Sequence, residues 1–403
     1  MSLSFEEALE KVREKLSGVA RVPPSESVGL PSALGRFLAE DVAADRDYPP
    51  FHRAIRDGFA VRSSDVVGVP VGLVRQGEVR AGAHFSATVG VGECVEIMTG
   101  APLPPGADAV VMIEHVRVTG SQVEVLRSIG PWENVVRKGS EAAVGSVVLR
   151  RGRRVMSGEI GLLASVGRDP VRVFRQPEVA ILPTGDEVVP HEQKPQWFQI
   201  RNSNALTLAA QVRAAGGRPR PMPIAPDDEE SLRRSVREGL ESDLLLLSGG
   251  VSMGKYDFVR KILSELGAES FIQGVAIRPG KPLVFGRVAE KFFFGLPGNP
   301  VSTYVTFELF VRPALAMLSG GEFLRPVFLR ARLGKPFRQK HGLTAFMPAR
   351  VETRDGDPVV ELVGWQGSGD LVGVAAANCF LVVHPEQMEL AAGAWVDVLP
   401  RPG

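Results

Sequence analysis

The chain has 403 residues, a formal net charge of +1, 44% apolar and 23% charged residues. That balance excludes a disordered or fibrous polymer and gives no global attraction to nucleic acid. At roughly 150 residues per domain, the length predicts about two to three domains. Cys94 and Cys379 fit no zinc spacing, no CxxC pair and no disulfide framework, so both are expected as buried small hydrophobes in a reducing cytoplasm. The longest apolar runs, Leu244–Leu247 and Phe292–Phe294, fall far short of the ~20 residues of a membrane span, so none is expected.

Ser4 and Glu7 make a capping box, and Phe5, Leu9, Val12 and Leu16 then mark one face of a helix that Gly18 ends. The start lacks the basic segment and apolar core of a signal peptide. From Tyr48 to Val148, short apolar or alternating runs lie between Gly and Pro turns, as in Val71–Val74, Cys94–Met98, Ala109–Ile113 and Val123–Val125. No helical period survives there, which predicts an all-β region. A short helix over about Ser157–Val166 follows, with Ile160, Leu163 and Ala164 on one face.

From Pro177 the pattern alternates. Strands are predicted over Glu178–Leu182, Arg220–Ile224, Asp243–Leu247 and Phe292–Phe294. Helices are predicted over Ala205–Ala215, from a cap at Asp227 and Glu230 through Leu232, Val236 and Leu240, over Phe258–Leu266, and over Val301–Leu318. Strands alternating with helices predict a doubly wound α/β domain. After Leu324 the pattern returns to β, with a hairpin turn at Arg354-Asp355-Gly356-Asp357 between Phe346–Thr353 and Val359–Val363.

Ligands of open α/β sheets bind outside the carboxyl ends of the strands. Three loops take that position: Pro183-Thr184-Gly185-Asp186-Glu187, Ser248-Gly249-Gly250 through Asp257, and Gly295-Leu296-Pro297-Gly298-Asn299-Pro300. The second has Walker spacing from Gly249 to Gly254-Lys255, but Tyr256 stands where Ser or Thr must ligate magnesium, which argues against an ordinary NTPase. A backbone anion cradle remains, the alternative being a plain Gly-rich turn. In the third loop, Asn299 as N-cap and Pro300 as first helical residue predict free helix amides at the sheet edge. Asp186, Glu187 and Asp257 beside these cradles suggest Mg²⁺; the alternative is that each caps a helix. Arg278-Pro279-Gly280-Lys281-Pro282 places two cations on a stiff turn, unless they are merely solvated charges. The α/β domain thus predicts a phosphorylated ligand with a divalent metal.

Six segments in this order resemble a known family: Asp57-Gly58-Phe59-Ala60-Val61, Glu96 through Pro102, Thr184-Gly185-Asp186-Glu187, Ser248 through Ser252, Pro279-Gly280-Lys281-Pro282, and Gly295 through Ser302. Ala377-Asn378-Cys379-Phe380 is also typical of it. Nearly the whole chain is similar to the molybdopterin molybdenumtransferases, the MoeA family that includes the E domain of gephyrin. The resemblance implies insertion of molybdate into adenylyl-molybdopterin, release of AMP and a divalent metal. It implies a molybdopterin-binding α/β domain at 177–323, an elongated N-terminal domain of 1–47 with 141–176, an inserted β domain at 48–140, and a small C-terminal β-barrel at 324–403. It implies a homodimer in which Asp57, Thr99 and Gly100 reach the partner's site.

By the same resemblance, Asp57, Asp186, Glu187 and Asp257 are catalytic, the last three holding Mg²⁺. Thr99, Gly100, Thr184, Asp228, Ser248, Gly249, Gly250, Ser252, Pro297, Gly298, Asn299 and Pro300 contact the substrate, and Arg278, Lys281, Ser302 and Ser368 hold molybdate. A molybdopterin adenylyltransferase and molybdoenzymes are the implied protein partners, with no nucleic acid and no membrane. The chain departs from the family at His52, Ala54, Phe59, Ser140, Arg201 and Asn202, at Lys255 where an acid is usual, and at Leu343 where an Arg is expected. These departures leave open a diverged paralogue with a changed anion or substrate. The gephyrin resemblance permits a non-catalytic scaffold, against which the retained Asp57, Asp186, Glu187 and Asp257 favour an enzyme. Tungstate, a tetrahedral dianion of similar size, is open as the oxyanion. Molybdopterin adenylyltransfer shares the α/β fold, but the extra β domains argue against it.

Overall fold

The computed structural model describes residues 2–18, 22–250, 258–339 and 342–401. The chain forms two compact units, one of Met1–Ala39, Gly152–Met156 and Val171–Gly403, the other of Glu40–Arg151 and Ser157–Pro170.

In the first unit, helix α1 (Phe5–Ser17) starts at the expected capping box, with Ser4 Oγ accepting from the Glu7 amide and the Glu7 carboxylate accepting from the Ser4 amide at 2.8 Å. Its Phe5, Leu9, Val12 and Leu16 are buried against the α/β core. That core is a sheet of β1 (Glu178–Pro183), β2 (Arg218–Pro221), β3 (Leu244–Ser248), β4 (Glu269–Gln273), β5 (Val284–Val288) and β6 (Lys291–Leu296), in the order β2-β1-β3-β6-β5-β4. The first four strands across are parallel, while β5 and β4 add an antiparallel pair that the sequence pattern did not announce. Every residue of β3 is buried, as a parallel strand covered on both faces requires. Helices α2 (Asn204–Ala214) and α3 (Glu229–Gly239), then α4 (Phe258–Glu265), supply the covering. Leu208 and Val212 of α2 join the core on one face, Leu232 and Val236 of α3 and Ile262 of α4 the core on the other.

Three expectations shift. Strand β2 ends at Pro221, three residues before the expected Ile224. It is an edge strand, where Pro219 and Pro221 are tolerated because a missing N–H costs no ladder bond. The cap of α3 is Asp228, whose carboxylate accepts from Ser231 N–H at 2.9 Å, not Asp227, whose own N–H is given to Asp186 at 3.0 Å. The long helix expected over Val301–Leu318 runs as α5 (Pro300–Thr306), a π-helical stretch Phe307–Val311 and α6 (Arg312–Leu318). Pro313 lacks the N–H that Leu309 carbonyl would accept, and widening the preceding turn relieves that mismatch. This helical stretch is apolar and long enough to cross a membrane, yet 78% of its most apolar window is buried in the protein's own core.

The end of the chain closes a barrel. Thr344–Arg354 pairs with Asp357–Leu362, which pairs with Leu329–Leu333, then Trp395–Pro400, then Cys379–Val383, which returns to Thr344–Arg354. The predicted hairpin turn is there, with Asp355 and Gly356 at φ 52° and 88°, the sense that matches strand twist.

In the second unit, Gly58–Val61 is the second strand of a six-stranded sheet, between the edge strand Ala109–Met112 and Glu93–Ile97. Gly58 is obligatory, since a β-carbon there would sit 1.9 Å from the Val111 carbonyl oxygen. The helix Ser157–Ser165 buries Leu163, whereas Ile160 is only partly covered and Ala164 is exposed, so its apolar face is narrower than the pattern implied. Both cysteines are buried as expected, and burial pushes the Cys94 thiol up to about 12 and the Cys379 thiol to about 11.

Phe294 of β6 is fully buried and stacks on Phe285 at 4.6 Å. Phe294→Ala is expected to destabilise this unit by about 3–5 kcal/mol, read as a lowered urea midpoint.

Candidate active site

The carboxyl ends of β1, β3 and β6 open into a cleft of about 400 Å³. Thr184, Gly185 and Glu187 line it from β1, Ser248, Gly249 and Gly250 from β3, and Pro297, Gly298, Asn299 and Pro300 from β6. Asn204, at the start of α2, ties two of these ends together: its Nδ2 donates to Ser248 Oγ at 2.9 Å and to the Gly298 carbonyl at 2.8 Å. Gly249 and Gly250 take φ of 95° and 65°. A β-carbon on Gly249 would lie 2.8 Å from the Thr184 carbonyl oxygen, and one on Gly250 2.9 Å from Thr184 Oγ1. Only glycine therefore lets this backbone lie so close to Thr184. Thr184 Oγ1 itself is buried and, among the described residues, has no hydrogen-bond partner, an orphan beside the cradle.

The helix amides are less free than expected. Asn299 makes no side-chain cap bond, and Val301 N–H is taken by the Ser368 carbonyl at 3.0 Å.

Acids gather on the β1 side. Asp186 and Glu187 are exposed, and Asp227 lines the cleft beside them. Burial raises the Asp227 carboxyl above the usual carboxylate range, the negative charges of Asp186 and Glu187 adding to the effect. Asp228 points its carboxylate into the first turn of α3. Among the described residues no three Asp, Glu, His or Cys side chains converge on one metal position. Ser252 and Asp257, with the Lys255–Tyr256 pair, lie outside the described residues.

A separate cavity of about 230 Å³ is lined by Arg278, Arg338, Leu343 and Trp365. Of the four residues expected to hold an oxyanion, Arg278 alone lines it; Ser302 is buried, Lys281 is exposed and Ser368 is half-buried. Trp365 Nε1 is a buried donor with no partner among the described residues.

In the second unit, Asp57 Oδ1 accepts from Thr99 N–H at 2.7 Å and Thr99 Oγ1–H at 2.8 Å. These two bonds, the amide first, hold its carboxyl below the usual range. Gly100 follows at φ 86° and donates its N–H to the Ala54 carbonyl at 2.9 Å. His52 packs on Trp132 at 4.7 Å and accepts from Lys138 N–H through Nδ1 at 3.1 Å.

As site residues, Asn204, Asp227 and Trp365 escape the sequence reading, in which Asp227 figures only as a helix cap. The first two carry a weak signal, a polar residue at a helix start next to a glycine-rich strand end; Trp365 carries none.

Thr99→Val removes one of the two bonds to Asp57. The Asp57 carboxyl is expected to titrate nearer the ordinary range by carbon NMR, with Thr99→Ser restoring the parent value. Because the folded value is depressed, this group favours the folded state above the unfolded-chain value, and that support fades as pH falls through the depressed one.

Residues 3–167 match the MoeA N-terminal region (domain I and II), 180–317 a probable molybdopterin binding domain, and 330–400 the MoeA C-terminal region (domain IV). Molybdopterin molybdenumtransferases of Staphylococcus epidermidis and Staphylococcus aureus are 32% and 33% identical over 402 residues, spanning 98% of this chain and 95% of each relative. Two structures of the molybdopterin biosynthesis MoeA protein from Pyrococcus horikoshii cover 100% of both chains, with TM-scores of 0.82 at 28% identity and 0.73 at 32%. With its barrel, its α/β domain and its inserted sheet all accounted for by one set of full-length relatives, the chain belongs to the molybdopterin molybdenumtransferase family.

Proposed function

We propose that this enzyme of molybdenum cofactor biosynthesis inserts molybdate into adenylyl-molybdopterin and releases AMP. The observation that carries the reading is the cleft lined by Thr184, Gly249, Gly250, Glu187 and Asp227, with Asp186 beside it accepting from the Asp227 N–H. Close-approach backbone suits the pyrophosphate of that substrate. The crowded acids suit Mg²⁺, which takes one or two carboxylates and keeps its waters. Asp186 and Glu187 would hold it, with Asp257 as the further acid. When bound, it neutralises charge on the phosphoanhydride. Thr184 and the glycines orient the phosphates, and Asn204 keeps the two strand ends in register. Asp228, as a cap, would act through the start of α3.

Molybdate is assigned to the Arg278 turn with Lys281, Ser302 and Ser368. Leu343 puts an apolar side chain on the cavity wall where the family is expected to carry an Arg. The family resemblance supports a homodimer in which Asp57, Thr99 and Gly100 of one subunit serve the cleft of the other.

One complementation experiment tests the acids and the dimer together. Asp57→Asn and Asp186→Asn should each abolish AMP release with the fold intact. Dimers formed from a mixture of the two should recover about a quarter of the parent rate, because half the dimers carry one intact site. No recovery would sink the shared site, and an active Asp186→Asn enzyme would sink the metal role. Independently of turnover, Mg²⁺ should lower the Asp227 carboxyl titration seen by NMR.

For the oxyanion, Arg278→Ala should raise the molybdate needed for half-maximal AMP release by about tenfold or more, the worth of one charge-assisted hydrogen bond. Leu343→Arg should lower it. If Arg278→Ala instead weakens the adenylylated pterin and leaves molybdate dependence alone, the turn belongs to the phosphate site.

A further inference from the structure

A third cavity in the α/β-containing unit, of about 270 Å³, shares no lining residue with the cleft or with the Arg278 cavity. Arg154, Arg312, Arg325 and Arg401 line it, against a single carboxylate, Glu308. Their partners differ. Arg312 is neutralised by Glu308, with bonds of 2.5 and 3.1 Å. Arg325 reaches Glu10 at 2.8 Å and Glu6 at 3.4 Å on α1. Arg154 and Arg401 donate instead to carbonyl oxygens: Ala214 at 3.2 Å for the first, Ala377 at 2.7 Å and Val374 for the second. The Arg401 guanidinium also lies over the Tyr304 ring at 5.8 Å. Arg154 Nε is buried and has no hydrogen-bond partner among the described residues.

Two guanidinium charges thus face one cavity, and among the described residues neither is paired with a carboxylate. Burial, and then the charge of Arg312, hold the Arg154 guanidinium below its usual range, and an anion beside it would act in the opposite direction. Guanidinium groups fixed by carbonyls present their remaining donors in the fork geometry that phosphate oxygens match. The rest of the wall is apolar, and Leu324 and Val327 on it remain 47% and 68% exposed. A bare oxyanion would leave those side chains against water.

We propose that this cavity binds a small phosphate monoester, its phosphate between Arg154 and Arg401 and its apolar body against Leu324, Val327 and Leu399. The site stands apart from the cleft proposed for adenylyl-molybdopterin, so its failure leaves that reading untouched.

The test is calorimetric titration of the full-length enzyme with phenyl phosphate, inorganic phosphate and phenol. Phenyl phosphate should bind most tightly, phosphate more weakly, and phenol not measurably. Arg154→Met and Arg401→Met should each weaken phenyl phosphate by about tenfold or more, while Arg278→Ala leaves it unchanged. Arg154→Lys, which keeps the charge, should lose less than Arg154→Met. In ¹⁵N-arginine-labelled enzyme, the Arg154 Nε–H resonance should move with the same saturation. An unmoved Arg154 signal, or parent affinity in a folded Arg154→Met, overturns the site. Equal affinities for phosphate and phenyl phosphate overturn the apolar subsite.

Discussion

Four consecutive leucines, Leu244–Leu247, form the constraint from which the first unit follows. A strand with no polar face cannot lie at a solvated surface, so both of its sides must be covered. Covering both sides requires crossover helices, and right-handed crossovers bring every parallel strand end to one edge. The helices α2, α3 and α4 are the local answer, each with an apolar stripe on the appropriate side. The cleft is what that packing problem leaves behind: the edge where strands stop, helices begin, and backbone groups have not been spent within the sheet.

What stands at that edge is poorly satisfied by the protein alone. A Thr184 hydroxyl unpartnered among the described residues and an Asp227 carboxyl raised by burial and then by the charges of Asp186 and Glu187 both stand there. A ligand that accepts hydrogen bonds, together with a cation, would satisfy these groups at once. The contrast with Asp57 is informative, because Thr99 already satisfies that carboxylate and keeps it ionised. One acid is prepared to act as a fixed charge; the others are crowded until something joins them.

Much of this was legible in the residues. The all-leucine strand, the capping box of α1 and the Asp355-Gly356 turn speak through local chemistry, and each lies where the pattern places it. The loops at the strand ends were legible because glycine pairs after an apolar run have few other uses. The antiparallel β4 and β5 were not, since Glu269–Gln273 carries only Phe271 and Ile272 as large apolar residues and its place depends on a partner strand. Asp227 and Asp228 could not be told apart by sequence; which of two adjacent acids caps α3 is decided by the Asp186 carboxylate, some forty residues earlier in the chain. The π turn likewise reflects where Pro313 falls in a buried helix rather than any composition signal.

The two cysteines divide between the two units, Cys94 in one and Cys379 in the other, each wholly buried and with its thiol pushed far above neutral pH. Only thiolate reacts with alkylating reagents, so the native enzyme is chemically silent to them. Each thiol becomes reactive only when its own surroundings open. The chain therefore carries, without alteration, a separate clock for the breathing of each unit, and a background dark enough for a single surface cysteine to be labelled cleanly.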